Sequence, residues 1–206
     1  MNSNTRRAQV VGPAGVLRVA IDDPAAGAAP VGVAVVCHPH PQHGGTMDNK
    51  VAQTLARAFV QLGYRAVRFN FRGVGGSEGV WDEGQGEIDD ALAVIAALRE
   101  PALPLVLAGF SFGAYVTSQA AARLPEDAKA QRLVLVGPAT VNFKVASVPA
   151  DTLVIHGEAD EVVPLAATFD WARPQALPVV VVPGVGHFFH GQLPLLKSIV
   201  VSAWQR

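Results

Sequence analysis

A serine is a weak nucleophile until its backbone presents it and a neighbouring base takes its proton. Ser111 stands where the first condition can be met. The apolar run Leu105-Val106-Leu107-Ala108 leads into Gly109-Phe110-Ser111-Phe112-Gly113, and a helical pattern opens at once. A strand that turns this sharply into a helix holds its central residue in a strained backbone conformation, with the side chain projecting above the sheet. The residues two before and two after it crowd each other and the neighbouring strand, and glycine removes the clash at both places. The pentapeptide decides little alone, since G-x-S-x-G arises by chance in roughly one chain in fifteen of this length. Acyl chemistry at Ser111 also needs a base, an acid to orient that base, and donors for an oxyanion.

The segments able to supply them are few. The acidic turn His156-Gly157-Glu158-Ala159-Asp160-Glu161-Val162-Val163-Pro164 offers three carboxylates, Glu158, Asp160 and Glu161. The glycine-rich stretch Pro183-Gly184-Val185-Gly186-His187-Phe188-Phe189-His190 offers two histidines. Upstream, His38-Pro39-His40-Pro41-Gln42-His43 cannot be helical, because its prolines lack the N–H and clash with the preceding turn. Its three histidines suggest a metal site only superficially. No carboxylate or cysteine stands at ligand spacing, and the prolines stiffen the segment, so no metal is expected. Gly73-x-Gly75 is not a dinucleotide fingerprint, because the third glycine position of the motif is Glu78 and no helix opens there. Gly44-Gly45-Thr46-Met47-Asp48-Asn49-Lys50 fails the phosphate-loop spacing. Cys37 ends a strand run with no such turn around it.

The elements that position these residues read as follows. Ala8–Val11 and Val16–Ile21 flank Gly12-Pro13-Ala14-Gly15 as an antiparallel hairpin. A loop, Asp22–Pro30, follows. Val31–Cys37 is nearly all apolar, as in a strand buried on both faces of a parallel sheet. A helix from about Asn49 to Leu62 buries Val51, Leu55, Phe59 and Leu62, with Asp48 as N-cap and Gly63 just past its end. Ala66–Phe71 is the next strand. Gln85–Arg99 is a helix with Ile88, Leu92 and Ile95 on one side, stopped by Pro101. Leu105–Ala108 and Phe112–Leu124 flank the serine. Strands at Leu133–Val136, Leu153–His156 and Val179–Val182, and helices at Pro164–Trp171 and Gln192–Trp204, complete the chain. Strands alternating with helices from Val31 onward predict a single α/β domain over 1–206, with a mostly parallel sheet and helices on both faces.

Composition excludes several classes. The chain has 206 residues and a formal net charge of −1, which favours neither a nucleic acid nor an anionic membrane partner. The single cysteine, Cys37, allows no internal disulfide and suits a reducing cytoplasm. The opening MNSNTRRAQVVG has no apolar run of signal-peptide length, and the apolar runs elsewhere are strand-length rather than membrane-spanning. The oligomeric state is left open, a homodimer included.

The set HPHPQHGGTMDNK, FNFRGVGGSEG, GFSFG, HGEADEVVP and GVGHFF resembles the small lidless serine hydrolases of the α/β-hydrolase family, of the dienelactone-hydrolase-like and carboxylesterase kind. The strand–G-x-S-x-G–helix passage is similar to that family's nucleophile elbow, and the family's triad runs Ser, Asp/Glu, His along the chain. The resemblance implies Ser111 as nucleophile, Asp160 as the acid and His187 rather than His190 as the base. Asp160 is chosen over Glu158 and Glu161 because the family's aspartate precedes an apolar pair and a proline. The oxyanion would be bound by the backbone N–H of Phe112 and by one from the loop after Val31–Cys37. Pro39 and Pro41 have no N–H, which leaves His40 as the best donor and Gln42 as the second. Only Pro138–Ala150 stands where many members insert a cap, so the site should be open, with Met47, Trp81, Phe110, Phe112, Phe143, Val162 and Phe188 as candidates to line it. The implied activity is hydrolysis of carboxylic esters, with short acyl groups preferred and no cofactor. Thioester, amide or carbon–carbon hydrolysis on the same triad is the alternative, and a non-catalytic binding module the more distant one.

Overall fold

A computed structural model describes residues 5–25 and 28–204. Residues 1–4 of the opening segment and residues 26–27 of the predicted 22–30 loop lie outside the described residues. Eight strands form one sheet: β1 (Arg6–Gly12), β2 (Gly15–Asp22), β3 (Val33–Cys37), β4 (Arg65–Phe69), β5 (Leu105–Phe110), β6 (Arg132–Val136), β7 (Leu153–Gly157) and β8 (Val179–Val182). Their order across the sheet is β1-β2-β4-β3-β5-β6-β7-β8. β1 and β2 pair antiparallel, β2 meets β4 antiparallel, and every pair from β4 to β8 is parallel. This is the α/β-hydrolase architecture, with its antiparallel hairpin on one edge.

The helices are α1 (Lys50–Gln61), α2 (Gln85–Leu98), α3 (Phe112–Arg123), α4 (Leu165–Ala172) and α5 (Leu193–Trp204). Strand periodicity divides the core. Ala34 and Val36 of β3, with Val106, Ala108 and Phe110 of β5, face α1 and α5. Val33, Val35 and Cys37, with Leu105 and Leu107, face α2 and α3. Side chains alternate across a strand, so the apolar runs feed two cores at once. Between β6 and β7, residues 137–152 make an irregular loop, and among the described residues no cap stands over the sheet.

Boundaries differ from the sequence reading in a few places. Asn49, not Asp48, caps α1, and its Oδ1 accepts from the N–H groups of Val51 and Ala52 at 2.9 and 3.3 Å. Asp48 turns instead toward Arg68, 3.2 Å away, and Arg7, 3.3 Å away. β3 begins at Val33, because Val31 is drawn to the end of α1 by its N–H bond to the Gly63 carbonyl. β5 runs two residues further, to Phe110, and so delivers the turn directly from the sheet.

Candidate active site

Ser111 sits between β5 and α3 with φ 57° and ψ −119°. A non-glycine residue with this backbone costs on the order of 1–3 kcal/mol, and the surroundings must enforce it. They do. A Cβ on Gly109 would lie 2.2 Å from the Gly113 carbonyl oxygen, and one on Gly113 would lie 2.3 Å from that of Cys37. The two glycines thus let the strand end and the first helical turn close on each other and on β3. The Ser111 N–H donates to the Val136 carbonyl of β6 at 2.9 Å, which ties the turn to the next strand.

Ser111, His187 and Asp160 form one hydrogen-bonded chain. Ser111 Oγ lies 3.0 Å from His187 Nε2, and His187 Nδ1 lies 2.7 Å from Asp160 Oδ2. All three are buried, with Ser111 8% exposed. Asp160 Oδ1 accepts from the N–H groups of Val162 and Val163 at 2.9 and 2.8 Å. Burial pushes the Asp160 carboxyl up, but the bond from His187, the two N–H groups and the positive charge of His187 outweigh it and hold the group below the usual range. Gly137, at the end of β6, makes the room: a Cβ there would come 3.3 Å from His187 Cε1 and 3.5 Å from Asp160 Oδ2. The competing carboxylates are elsewhere. Glu158 Oε2 accepts from the Gly184 N–H at 2.8 Å and so braces the histidine loop, while Glu161 is exposed. His190 is exposed too, its ring against Phe188.

Opposite His187 lies the 38–45 loop. His38 is wholly buried, with Nδ1 2.6 Å from the Pro39 carbonyl and Nε2 accepting from the Phe71 N–H at 3.1 Å. An Nε2 that accepts leaves the ring proton on Nδ1, where it bonds Pro39. Burial lowers its pKa to about 4 against the pull of that carbonyl, so the ring is a neutral strut between this loop and the one after β4. The Gln42 N–H is engaged by His40 Nδ1 at 3.3 Å. The His40 N–H has no acceptor among the described residues. Phe112, the first residue of α3, has no intrahelical acceptor for its N–H. His40 and His43 stack on each other, and among the described residues no three His, Cys, Asp or Glu groups gather to hold a metal ion. Burial raises the Cys37 thiol to about 12, which makes it inert at neutral pH.

The expected lining residues divide. Trp81 and Phe143 are half-buried, and both rings touch those of His40 and Phe112 at 4.6–5.8 Å. Phe112 is buried beneath them. Val162 and Phe188 are 51% and 43% exposed on the His187 side and line a cavity of about 270 Å³ beside it. Two expectations need correction. Phe110 is fully buried with its ring 4.8 Å from His187, so it backs the imidazole and offers no surface to a ligand. Met47 is buried and turned toward β1, its sulfur 3.5 Å from Arg7 Nη1. The Asn70 side chain captures the Met47 N–H at 2.8 Å and directs the segment that way. The buried residues His38 and His156 and the spacer Gly137 were not singled out from sequence. Their partners are set by tertiary contacts, although His156 does lead the acidic segment.

The fold is that of the α/β-hydrolase class, with Ser111, His187 and Asp160 in hydrogen-bonding reach of one another. The chain belongs to the serine aminopeptidase S33 family, whose sequence model matches residues 29–147. A crystal structure from Xanthomonas campestris, described as an α/β serine hydrolase without lid, is 41% identical, with a TM-score of 0.90 over 100% of this chain and 96% of that one. An α/β serine hydrolase homologue from Coxiella burnetii is 40% identical, with a TM-score of 0.82 over 98% of this chain and 97% of that one. An uncharacterised Rickettsia prowazekii protein is 44% identical over 97 residues, 46% of this chain and 41% of its own. One from Mycobacterium tuberculosis is 31% identical over 175 residues, 70% of this chain and 60% of its own. The chain thus spans about half the length of the curated relatives it matches.

Proposed function

We propose that the protein hydrolyses carboxylic esters through an acyl-enzyme on Ser111. The observation that carries this reading is the chain Ser111 Oγ–His187 Nε2–His187 Nδ1–Asp160 Oδ2, at 3.0 and 2.7 Å, on an enforced strained turn. Ser111 attacks the acyl carbonyl while His187 Nε2 takes its proton. Asp160 orients the imidazole and stabilises its charged form. The developing oxyanion is received by the N–H groups of Phe112 and His40, the dipole of α3 adding to the first. The alcohol leaves with the proton from His187. Water then attacks the acyl-enzyme with His187 again as base, and the acid departs from Ser111. Gln42 is the weaker oxyanion candidate, because its N–H is already bonded to His40 Nδ1.

The test is covalent labelling by a fluorophosphonate, with burst kinetics on a chromogenic ester. Wild type should label and Ser111→Ala should not; labelling that persists in the variant overturns the assignment. The short loop between β6 and β7 supports short acyl groups. Acetate, butyrate and decanoate esters of one leaving group test this, and an optimum at decanoate counts against it. A peptidase reading has the name of the matching family in its favour. A parallel panel of amides and thioesters decides it: amide turnover exceeding ester turnover would replace the ester reading. The lone, buried Cys37 supports a reducing compartment such as the cytoplasm.

A further inference from the structure

Asp160 has a second histidine beside it. His156, on β7, is fully buried, and its Nε2 lies 3.4 Å from Asp160 Oδ2 and 2.9 Å from the Val163 carbonyl. Its Nδ1 lies 3.2 Å from Thr168 Oγ1 of α4. These contacts fix the tautomer. With the proton on Nδ1, the Nε2 lone pair would face a carboxylate and a carbonyl, two acceptors at once. With the proton on Nε2, the ring donates to the Val163 carbonyl with Asp160 Oδ2 beside it at 3.4 Å, and Nδ1 accepts the Thr168 hydroxyl. Burial lowers the His156 pKa, against the Val163 carbonyl and Asp160, while His187 lowers it further. The titratable groups that face it are Asp160, from its own loop, and His187, from the loop after β8; from α4 it meets the uncharged Thr168.

We infer that His156 is a positioning residue for Asp160: a neutral ring whose Nε2–H holds the Val163 carbonyl and lies beside the oxygen that bonds His187, locked in its tautomer by Thr168. The inference rests on the ester-hydrolase reading of Ser111. It completes the surroundings of the carboxylate. Oδ1 takes two backbone N–H groups, and Oδ2 takes His187, with the His156 Nε2–H 3.4 Å away on its other side. The same ring bonds Val163, whose N–H holds Oδ1, so one side chain clamps both ends of the acid's loop. Removing the donor concentrates charge on Oδ2 and stabilises imidazolium at His187, which moves the acidic limb of the pH profile upward.

The experiment compares kcat, KM and the pH dependence of kcat/KM for p-nitrophenyl acetate in wild type, His156→Phe, His156→Gln and Thr168→Val. Fluorophosphonate labelling and thermal unfolding are followed alongside. His156→Phe should lower kcat about tenfold, short of the 10²-fold that a misplacement of about 1 Å costs, with KM little changed. Its acidic limb should rise. His156→Gln puts an amide donor near the Nε2 position and should restore most of both. Thr168→Val, which touches neither Ser111 nor His187, should move the limb the same way by less. A folded His156→Phe with wild-type kcat and limb overturns the proposal. So does a loss of kcat with an unmoved limb and no rescue by Gln. If His156→Phe does not fold, an unmoved limb in Thr168→Val overturns it. Wild type that neither labels nor turns over ester fails the Ser111 reading itself, a result distinct from any of these.

Discussion

Gly109→Ala tests the steric logic of the turn. The added Cβ would lie 2.2 Å from the Gly113 carbonyl oxygen, 2.4 Å from its carbon and 2.5 Å from Thr117 Oγ1. Ordinary contact begins near 3.4 Å, so strand end and helix start must part by 3.4 − 2.2 = 1.2 Å. The two nearest atoms are backbone, so no side-chain rotation relieves the clash. If that displacement passes to Ser111, the 3.0 Å contact with His187 Nε2 opens beyond hydrogen-bonding reach. A misplacement of about 1 Å costs on the order of 10²-fold in rate. Overpacking of this kind costs about 1–3 kcal/mol, which for a chain of this size lowers Tm by roughly 3–10 °C. Gly186→Ala is the control, one residue before His187. A Cβ there meets nothing nearer than the Ala159 carbonyl at 3.6 Å, so rate and Tm should stay near wild type. The assay is kcat on a chromogenic ester with thermal unfolding of both variants. A Gly109→Ala protein with wild-type rate and Tm would refute the account, as would Gly186→Ala proving the worse of the two.

Further outcomes concern the struts around the site. Histidine ordinarily titrates at 6.5 and His38 at about 4; at 1.36 kcal/mol per pH unit this is worth about 3 kcal/mol. Above pH 6.5 that stability is fully present, because both states are neutral. As pH falls toward 4 the unfolded chain takes a proton that the folded chain refuses, and the stability is lost. His156 acts in the same direction, so denaturant titrations of wild type against His38→Gln isolate the effect; equal slopes between pH 7 and 4 would exclude it. Arg72→Ala strips Asp90 of a buried partner 2.8 Å away, and urea unfolding should show a loss of about 3–5 kcal/mol. A loss under 1 kcal/mol would mean that water reaches Asp90.

The sequence carried most of the architecture, because strands buried on two faces are apolar throughout and the glycines mark the sharp turns. The placement of Ser111, Asp160 and His187 after β5, β7 and β8 was legible for the same reason: each follows a recognisable strand. What escaped was direction. Met47 and Phe110 look like rim residues by composition, yet Asn70 draws the first away and Phe110 falls on the core-facing side of β5. Asp48 and Asn49 are equivalent caps on paper, and Arg68 and Arg7 take one of them. The roles of His38 and His156 were not legible because their partners, Phe71 and Thr168, stand 33 and 12 residues away in the chain.

Asp160 draws two of its bonds from Val162 and Val163, and its flanking His156 leans on Thr168. Every one of these residues emerges from the ribosome before Val179. The cradle for an imidazole is therefore complete in its own covalent neighbourhood while the imidazole itself is still unmade.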